Sequence, residues 1–200
     1  MKKKLFLILG ATVMIFGIII SPSYGVFQAD GNDVKTHIST NTLDITLTGD
    51  GVNQVEVFKD LVPNQVINKE MAVTNVKDAS LYPRVIIHKY WLDNQGNKEF
   101  NESAQNIKIN YNDNDWYVEY TDDEELVLYY RKPLASQETT ANFINSIVVP
   151  SNLGNDDMGR KFALDIKVDA VQSVDGINAM LSHWGVLATL ENDKIIKIER

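Results

Sequence analysis

The chain has 200 residues, with 27 acidic and 19 basic side chains and a formal net charge of −8. This acidic excess argues against nucleic acid as a partner, because the phosphate backbone attracts basic proteins. Cysteine is absent, which excludes disulfides, thiolate metal sites and thiol catalysis.

Residues 1–25 have the layout of a secretory signal peptide. Three lysines at positions 2–4 precede an uncharged apolar run, Leu5–Ile20. The alternative is a membrane anchor, but the run has 16 residues, fewer than the roughly 20 that span a bilayer. We therefore predict a secreted protein, cleaved after Gly25 or after Val26 and free of the membrane afterwards. Cleavage after Gly25 removes three lysines and no acidic residue, so the net charge changes from −8 to −11.

The next segment, residues 26–42, is a polar N-terminal arm with sparse apolar side chains. One interpretation is a flexible leader, since termini are loose unless they are tied down. The other is a strand that awaits a partner. The apolar residues of the arm are Val26, Phe27, Ala29, Val34 and Ile38.

From residue 43 onwards, short runs show the alternation or the β-branched and aromatic enrichment that is typical of strands. Turn residues rich in Gly, Asn, Asp and Pro separate them, including Leu61–Asn64, where Pro63 cannot donate to a ladder. The cleanest alternation is Phe162, Leu164, Ile166 and Val168. The predicted strands lie at 43–48, 67–74, 85–87, 106–110, 116–120, 126–130, 162–169 and 194–200.

One helix is predicted late in the chain, from Asp175 to Trp184. Its apolar residues Ile177, Met180, Leu181 and Trp184 fall at i, i+3, i+4 and i+7, which is one helical face. Ser173 or Asp175 can cap it, and we expect it to lie across an edge or end of a sheet. Short strands with one late helix predict an all-β sandwich domain over residues 43–200.

Three blocks of this sequence resemble the camelysin–TasA class of secreted biofilm-matrix proteins, which includes clostridial biofilm surface proteins. In the second block, the acidic run Asp122–Glu125 replaces a turn that usually carries glycine in that class. The matching residues are Asn41–Ile45, Leu61–Val66, Asn75, Tyr82, Arg84 and Val85; then Trp116–Val118, Tyr129, Tyr130, Leu134 and Glu138–Thr140; then Asp169–Gln172, Trp184 and Gly185.

The resemblance implies a jelly-roll-like sandwich, export with a dedicated signal peptidase, and a structural role in extracellular matrix fibres at or near the cell surface. The partner is then a second copy of the chain, with accessory matrix or anchoring proteins as further partners. A sandwich has edge strands that template another chain, and strand addition satisfies them. We therefore expect the arm to add to the next subunit, with Phe27, Ala29, Val34 and Ile38 as its assembly residues.

An enzyme is the first alternative, because camelysin-type relatives have been described as metalloendopeptidases. His37, His88 and His183 are the only histidines, and they share no HExxH motif or other short spacing. A G-x-S-x-G elbow is also absent. We predict no catalytic, cofactor-binding or metal-binding residues, and we expect His88 on the same strand face as Arg84 and Ile86.

Two further features keep other functions open. Acidic clusters at 113/115, 122–125 and 156/157 could bind calcium through oxygen, but without the fixed spacing of a calcium loop they indicate solvated turns. A monomeric adhesion or carbohydrate-binding module is the second alternative, for which aromatic residues should gather on an exposed face; aromatics on strands are more often core. The aromatic candidates are Tyr82, Tyr90, Trp91, Trp116, Tyr117, Tyr120, Tyr129 and Tyr130.

Overall fold

The computed structural model describes residues 45–49, 55–100, 103–120, 122–154 and 160–200. The predicted leader and arm lie outside this part of the chain. The described residues form eleven strands and one helix, α1, at Gly176–Trp184. The strands are β1 Ile45–Gly49, β2 Val55–Phe58, β3 Val66–Asn75, β4 Leu81–Leu92, β5 Lys108–Tyr111, β6 Trp116–Tyr120, β7 Glu125–Tyr130, β8 Ile144–Val148, β9 Lys161–Gln172, β10 Leu187–Glu191 and β11 Lys194–Glu199.

Nine of these strands form two sheets that share one core. The four-stranded sheet has the order β1-β3-β8-β5, and the five-stranded sheet has the order β2-β9-β4-β7-β6. Every pairing is antiparallel, and the longest joins β4 to β9 over the full length of both strands. The predicted all-β sandwich is confirmed, while its jelly-roll version stays a prediction.

The main core lies between the two sheets, because each strand points alternate side chains inward. On β9 the four apolar residues that alternate in the sequence, Phe162 to Val168, are all buried there. Met71 and Val73 of β3 and Ile144 and Ile147 of β8 belong to the same core. The alternation pattern therefore identified the core face of β9 directly.

A second core lies on the outer face of the five-stranded sheet, where α1 and the β10–β11 hairpin form a third layer. Val127 and Tyr129 of β7 point into it and are as buried as their inward neighbours Leu126 and Leu128. The sequence prediction included neither this layer nor the strands β2, β8 and β10. The second core contains Tyr82, Val127, Tyr129, Val171, Ala179, Met180, Val186, Ala188, Ile195 and Ile198.

The predicted buried face of the helix is wrong in part. Met180 is buried in the second core, but Ile177 and Leu181 are 39% and 49% exposed. The helix turns Gly176 and Ala179 towards the sheet instead. These small residues allow close approach, so α1 packs on a sheet face and not across an edge or end.

The predicted cap of the helix is also wrong in its chemistry. Asp175 occupies the N-cap position, but its side chain makes no capping hydrogen bond. Its carboxylate accepts from the side-chain amide of Asn178 at 2.9 Å. Ser173 donates its hydroxyl to the carbonyl of Ser80 at 3.0 Å, so it connects the end of β9 to the loop before β4.

Charged side chains also face inward, and the sequence pattern did not identify them. Lys89 of β4 is 7% exposed and its Nζ donates to the carbonyls of Gln105 and Ile107 at 3.0 and 2.9 Å. Burial lowers the pKa of Lys89, while the acidic residues 122–124 oppose that shift. The buried amine therefore holds the segment before β5 against the sandwich.

A second inward charge forms an ion pair between the sheets. Lys69 of β3 and Glu56 of β2 approach to 2.7 Å, and each side chain is 10% exposed. This pair joins β3 of one sheet to the edge strand of the other. A buried pair of this kind contributes little net stability, but removal of one partner leaves an uncompensated charge.

Candidate assembly edge

One strand of the five-stranded sheet is only partly covered on one side. β9 pairs with β4 from Lys161 to Gln172. On its other side it pairs with β2, which covers only Phe162 to Asp165. Within the described part of the chain, no strand pairs with the remaining stretch, Ile166–Gln172, on that side. We call this stretch the open edge of β9.

The open edge presents seven residues, a length of about 23 Å at the rise of an antiparallel strand. Alternate residues of an antiparallel strand direct their N–H and C=O groups to the side away from the existing partner. Among the described residues, no strand accepts the groups that the open edge directs to this side, and unpaired groups of this kind can template another chain.

The side chains of the open edge have the alternation of a half-buried strand. Ile166 and Val168 are buried, and Ala170 packs partly against the main core. Between them, Lys167 and Asp169 point to the outer face, where Asp169 binds Arg84. A strand added here would therefore need apolar residues on one face and charge-compatible residues on the other.

The edge strand β1 approaches β9 from the opposite sheet. Ile45 of β1 is buried in the main core, and Leu47 is only half-buried against it. β1 and β9 therefore approach each other at the main core.

The other edge strands are shorter or better protected. β5 has four residues, begins with an exposed lysine and has a register shift near its end. β6 lies next to β11, and Glu119 of β6 binds Arg200 at 3.1 Å. Short strands, edge lysines and irregular pairing all discourage edge-to-edge association. The open edge of β9 has the length that these edges lack, although it also contains Lys167.

The residues predicted to assemble and to be cleaved cannot be placed against this edge. Phe27, Ala29, Val34 and Ile38 lie outside the described residues, as do Gly25 and Val26. The described residues therefore include the proposed acceptor strand but not the arm. Sequence reasoning missed Ile166–Gln172 as an open edge because it did not include β2.

The described histidines do not come together. His88 lies on the outer face of β4, where its Nδ1 is 3.1 Å from the Glu125 carboxylate of β7. His183 is exposed in the last turn of α1, and His37 lies outside the described residues. Among the residues that the structure describes, no three His, Asp or Glu side chains form a group that could hold a metal ion.

The acidic turn before β7 satisfies its own backbone. The Asp122 carboxylate accepts from the amides of Glu124 and Glu125, both at 2.7 Å. Asp115 accepts from the side-chain amide of Asn112 at 3.1 Å. These carboxylates order turns, as the solvated-turn interpretation expects, and the third cluster, 156/157, lies outside the described residues.

Half of the predicted aromatic platform is core. Tyr82, Trp91, Trp116 and Tyr129 are each 5% exposed or less. Burial, with a contribution from Asp193, raises the pKa of Tyr82 to about 12, and burial also raises the pKa of Tyr129. These four rings do not lie on an exposed face.

Comparison of the chain with protein-family models, with curated proteins and with solved structures gives no match. In the described part of the chain, none of the helical structure has the length and apolar character needed to cross a bilayer.

Proposed function

We propose that this protein is a secreted structural subunit that polymerises into extracellular fibres of a biofilm matrix. The arm, residues 26–42, adds as a strand to the open edge of β9 in the next subunit. The observation that carries the proposal is the unpaired stretch Ile166–Gln172. The resemblance to the camelysin–TasA class supports the same function, and it implies that the sandwich is of the jelly-roll type.

Strand addition suits both partners chemically. Main-chain hydrogen bonds supply affinity, and alternate side chains supply specificity. In the arm, Val34, Thr36 and Ile38 occupy alternate positions and match the inward face of the open edge. The charged residues between them stay on the outer face with Lys167 and Asp169.

The symmetry of this contact explains a fibre. The arm and the open edge are different surfaces of one chain, so each subunit donates to one neighbour and accepts from another. Such a head-to-tail contact is heterologous, and it yields an open filament unless the rotation closes. Signal peptidase cleavage would release the arm at export, so polymerisation would begin outside the cell.

The test uses the mature chain, starting at Val26, in electron microscopy and sedimentation. The unmodified chain should form fibres, and a variant with residues 26–38 replaced by Gly and Ser in equal number should remain a folded monomer. Added peptide of residues 26–40 should block growth of the unmodified chain. Fibres of the same form from the Gly/Ser variant would show that the arm is only a leader.

Hydrogen exchange identifies the acceptor. Amides of Ile166–Gln172 that face the open side should exchange fast in the monomer and become protected in fibres, because each then donates to the arm. Amides of β5 serve as the internal control and should change little. Protection at β5 in place of β9 would move the acceptor to the other sheet.

A further inference from the structure

β2 contributes little apolar surface to the main core, although it is an edge strand of the five-stranded sheet. It has four residues and, within the described part of the chain, pairs with one strand, β9. Its outward-facing side chains, Val55 and Val57, are 43% and 42% exposed. Of the two that face inward, Phe58 is only partly buried, and its ring stacks on Phe162 with the centroids 5.7 Å apart. The other inward side chain is Glu56, a charged residue where alternation places an apolar one.

The carboxylate of Glu56 is only partly satisfied in its buried position. Its Oε2 lies 2.7 Å from Nζ of Lys69 on β3, and each side chain is 10% exposed. Its Oε1 is also buried and has no hydrogen-bond donor among the described residues. A buried charge that lacks part of its hydrogen bonding opposes the ordering of the segment that carries it. Water would supply the missing donor once β2 left the sheet, so β2 loses less on opening than an apolar strand would.

β9 does not depend on β2 for its position in the sheet. It pairs with β4 from Lys161 to Gln172, including the four residues that β2 covers. Phe162, which contacts Phe58, also packs edge-on against Trp91 of β4 with the centroids 6.0 Å apart. A movement of β2 therefore leaves β9 attached to β4 along its full length.

We propose that β2 is a strap that opens as a unit while the rest of the sandwich stays folded. Opening extends the uncovered side of β9 from Ile166–Gln172 to Phe162–Gln172, a length of about 37 Å. Segments with few buried apolar contacts open locally at a lower free energy than global unfolding requires. The opening follows from the contacts of β2 itself and requires no partner.

The role of the strap in assembly rests on the proposed function. In the closed state, a short edge strand with an inward-facing charge discourages pairing with another chain. In the open state, an incoming strand gains the stretch Phe162–Asp165, with which it can form further main-chain hydrogen bonds. The strap therefore controls how much of β9 is available as the acceptor.

Hydrogen exchange of the mature chain, below its assembly concentration, tests the opening. Amides that donate between β2 and β9 should exchange at least about 100-fold faster than amides of Val85–Ile87, which lie between two strand partners. Low urea should change exchange of the β2 amides little, because a local opening exposes little surface. Exchange of β2 at the rate of β4, with the same urea dependence, would show that β2 opens only on global unfolding and would overturn the strap.

An engineered disulfide closes the strap and supplies its own matched control. The chain contains no cysteine, and Val57 lies directly opposite Ala163, at the Cα separation that a disulfide needs. The variant Val57→Cys with Ala163→Cys is measured oxidised and reduced, with closure checked by intact mass. Oxidation should slow exchange of the β2 amides about 100-fold relative to the reduced form and leave Val85–Ile87 unchanged. Equal exchange of β2 in both forms would contradict the opening.

A second variant removes the charge to which the weak attachment of β2 is assigned. Glu56→Leu with Lys69→Met replaces the buried pair by apolar side chains, a change that is often neutral or stabilising. Because it also removes the unsatisfied Oε1, exchange of the β2 amides should slow about ten-fold, with folding checked by the thermal transition. Unchanged or faster exchange would show that Glu56 is not the cause of the opening.

The half-assembly concentration, at which half of the subunits are in fibres, separates the strap from its role in assembly. The oxidised disulfide variant should need about ten-fold more subunit than its reduced form, the equivalent of one lost contact. Equal values would overturn the role in assembly, while slowed exchange in the oxidised form would still support the opening. Absence of fibres from the unmodified mature chain would instead overturn the proposed function, and the exchange of β2 decides the strap in either case.

Discussion

Asn75, at the end of β3, is completely buried, and its side chain connects two loops. Its Nδ2 lies 2.8 Å from the carbonyl of Ala79 and about 3 Å from those of Leu134 and Ala135. Its Oδ1 accepts from the amide of Lys77 at 3.0 Å. The side chain therefore ties the loop after β3 to the loop that contains Leu134 and Ala135.

Asn75→Asp should lower the free energy of unfolding by about 3 kcal/mol. A carboxylate has no N–H to donate, so it would bring a second acceptor against three buried carbonyls. Urea unfolding of both proteins measures the difference. Asn145→Asp, at an exposed position of β8, is the control and should change the value by less than about 0.5 kcal/mol. Equal effects at the two positions would mean that the Asn75 contacts contribute nothing to the free energy of unfolding.

Residue-scale features of this kind could not be predicted from the sequence. The partners of Asn75 lie 59 and 60 positions away at Leu134 and Ala135, in a loop whose position depends on the fold. The same holds for Lys89 and for the pair of Lys69 with Glu56. A charged residue in an alternating run predicts an outward-facing side chain. Only contacts with distant parts of the chain bring such a side chain inward.

Strands could be predicted from the sequence where only one of their two faces is buried. β9 alternates because one of its faces lies in the main core along most of its length. β7 is apolar on both faces because α1 and the β10–β11 hairpin cover its outer face. A period-two pattern does not show what covers the outer face of a strand. Helical periodicity did not identify the packed face of α1, because apolar residues lie on both sides of the helix. The side that packs on the sheet is the one that carries small residues.

Gly176→Ala should lower the free energy of unfolding by about 1–3 kcal/mol, the cost of overpacking. A Cβ at Gly176 would lie 2.7 Å from Cε2 of Tyr82, and the hydroxyl of Tyr82 is held by a 2.8 Å hydrogen bond to the Asp193 carbonyl. Helix propensity alone would favour alanine by about 1 kcal/mol, so a loss identifies the steric contact. Thermal and urea unfolding measure it.

The control is Gly154→Ala, where an added Cβ meets no heavy atom within 4 Å. This substitution should leave stability unchanged or raise it slightly. If Gly176→Ala stabilised the protein as Gly154→Ala does, α1 would sit further from Tyr82 than the structure places it.

For the molecule as a whole, the sandwich was predictable from the number of short alternating runs. The open edge was not, because it is defined by pairing between distant strands: within the described residues, β2 pairs with four of the twelve residues of β9. Sequence patterns indicate where strands lie, but the extent of pairing between distant strands depends on where the chain crosses between sheets. The arm was predicted as a donor from the sequence alone, and the proposal of an acceptor required the structure.

Assembly of the mature chain should strengthen as salt is added. Every subunit of a homopolymer carries the same net charge, −11 after cleavage at Gly25, so long-range repulsion opposes each addition. The screening length falls from about 30 Å at 0.01 M to about 8 Å at 0.15 M salt, while main-chain hydrogen bonds and apolar contacts are little affected.

The half-assembly concentration, measured by sedimentation at about 0.01 M and about 0.15 M sodium chloride, should therefore be lower at the higher salt. Lys35→Gln should keep that direction, because it leaves the repulsion between like-charged subunits in place. If assembly of the unmodified chain weakened with salt and Lys35→Gln abolished the dependence, attraction between opposite charges would dominate the contact. The interface would then be electrostatic in origin, and the unpaired backbone of β9 would not be its main source of affinity.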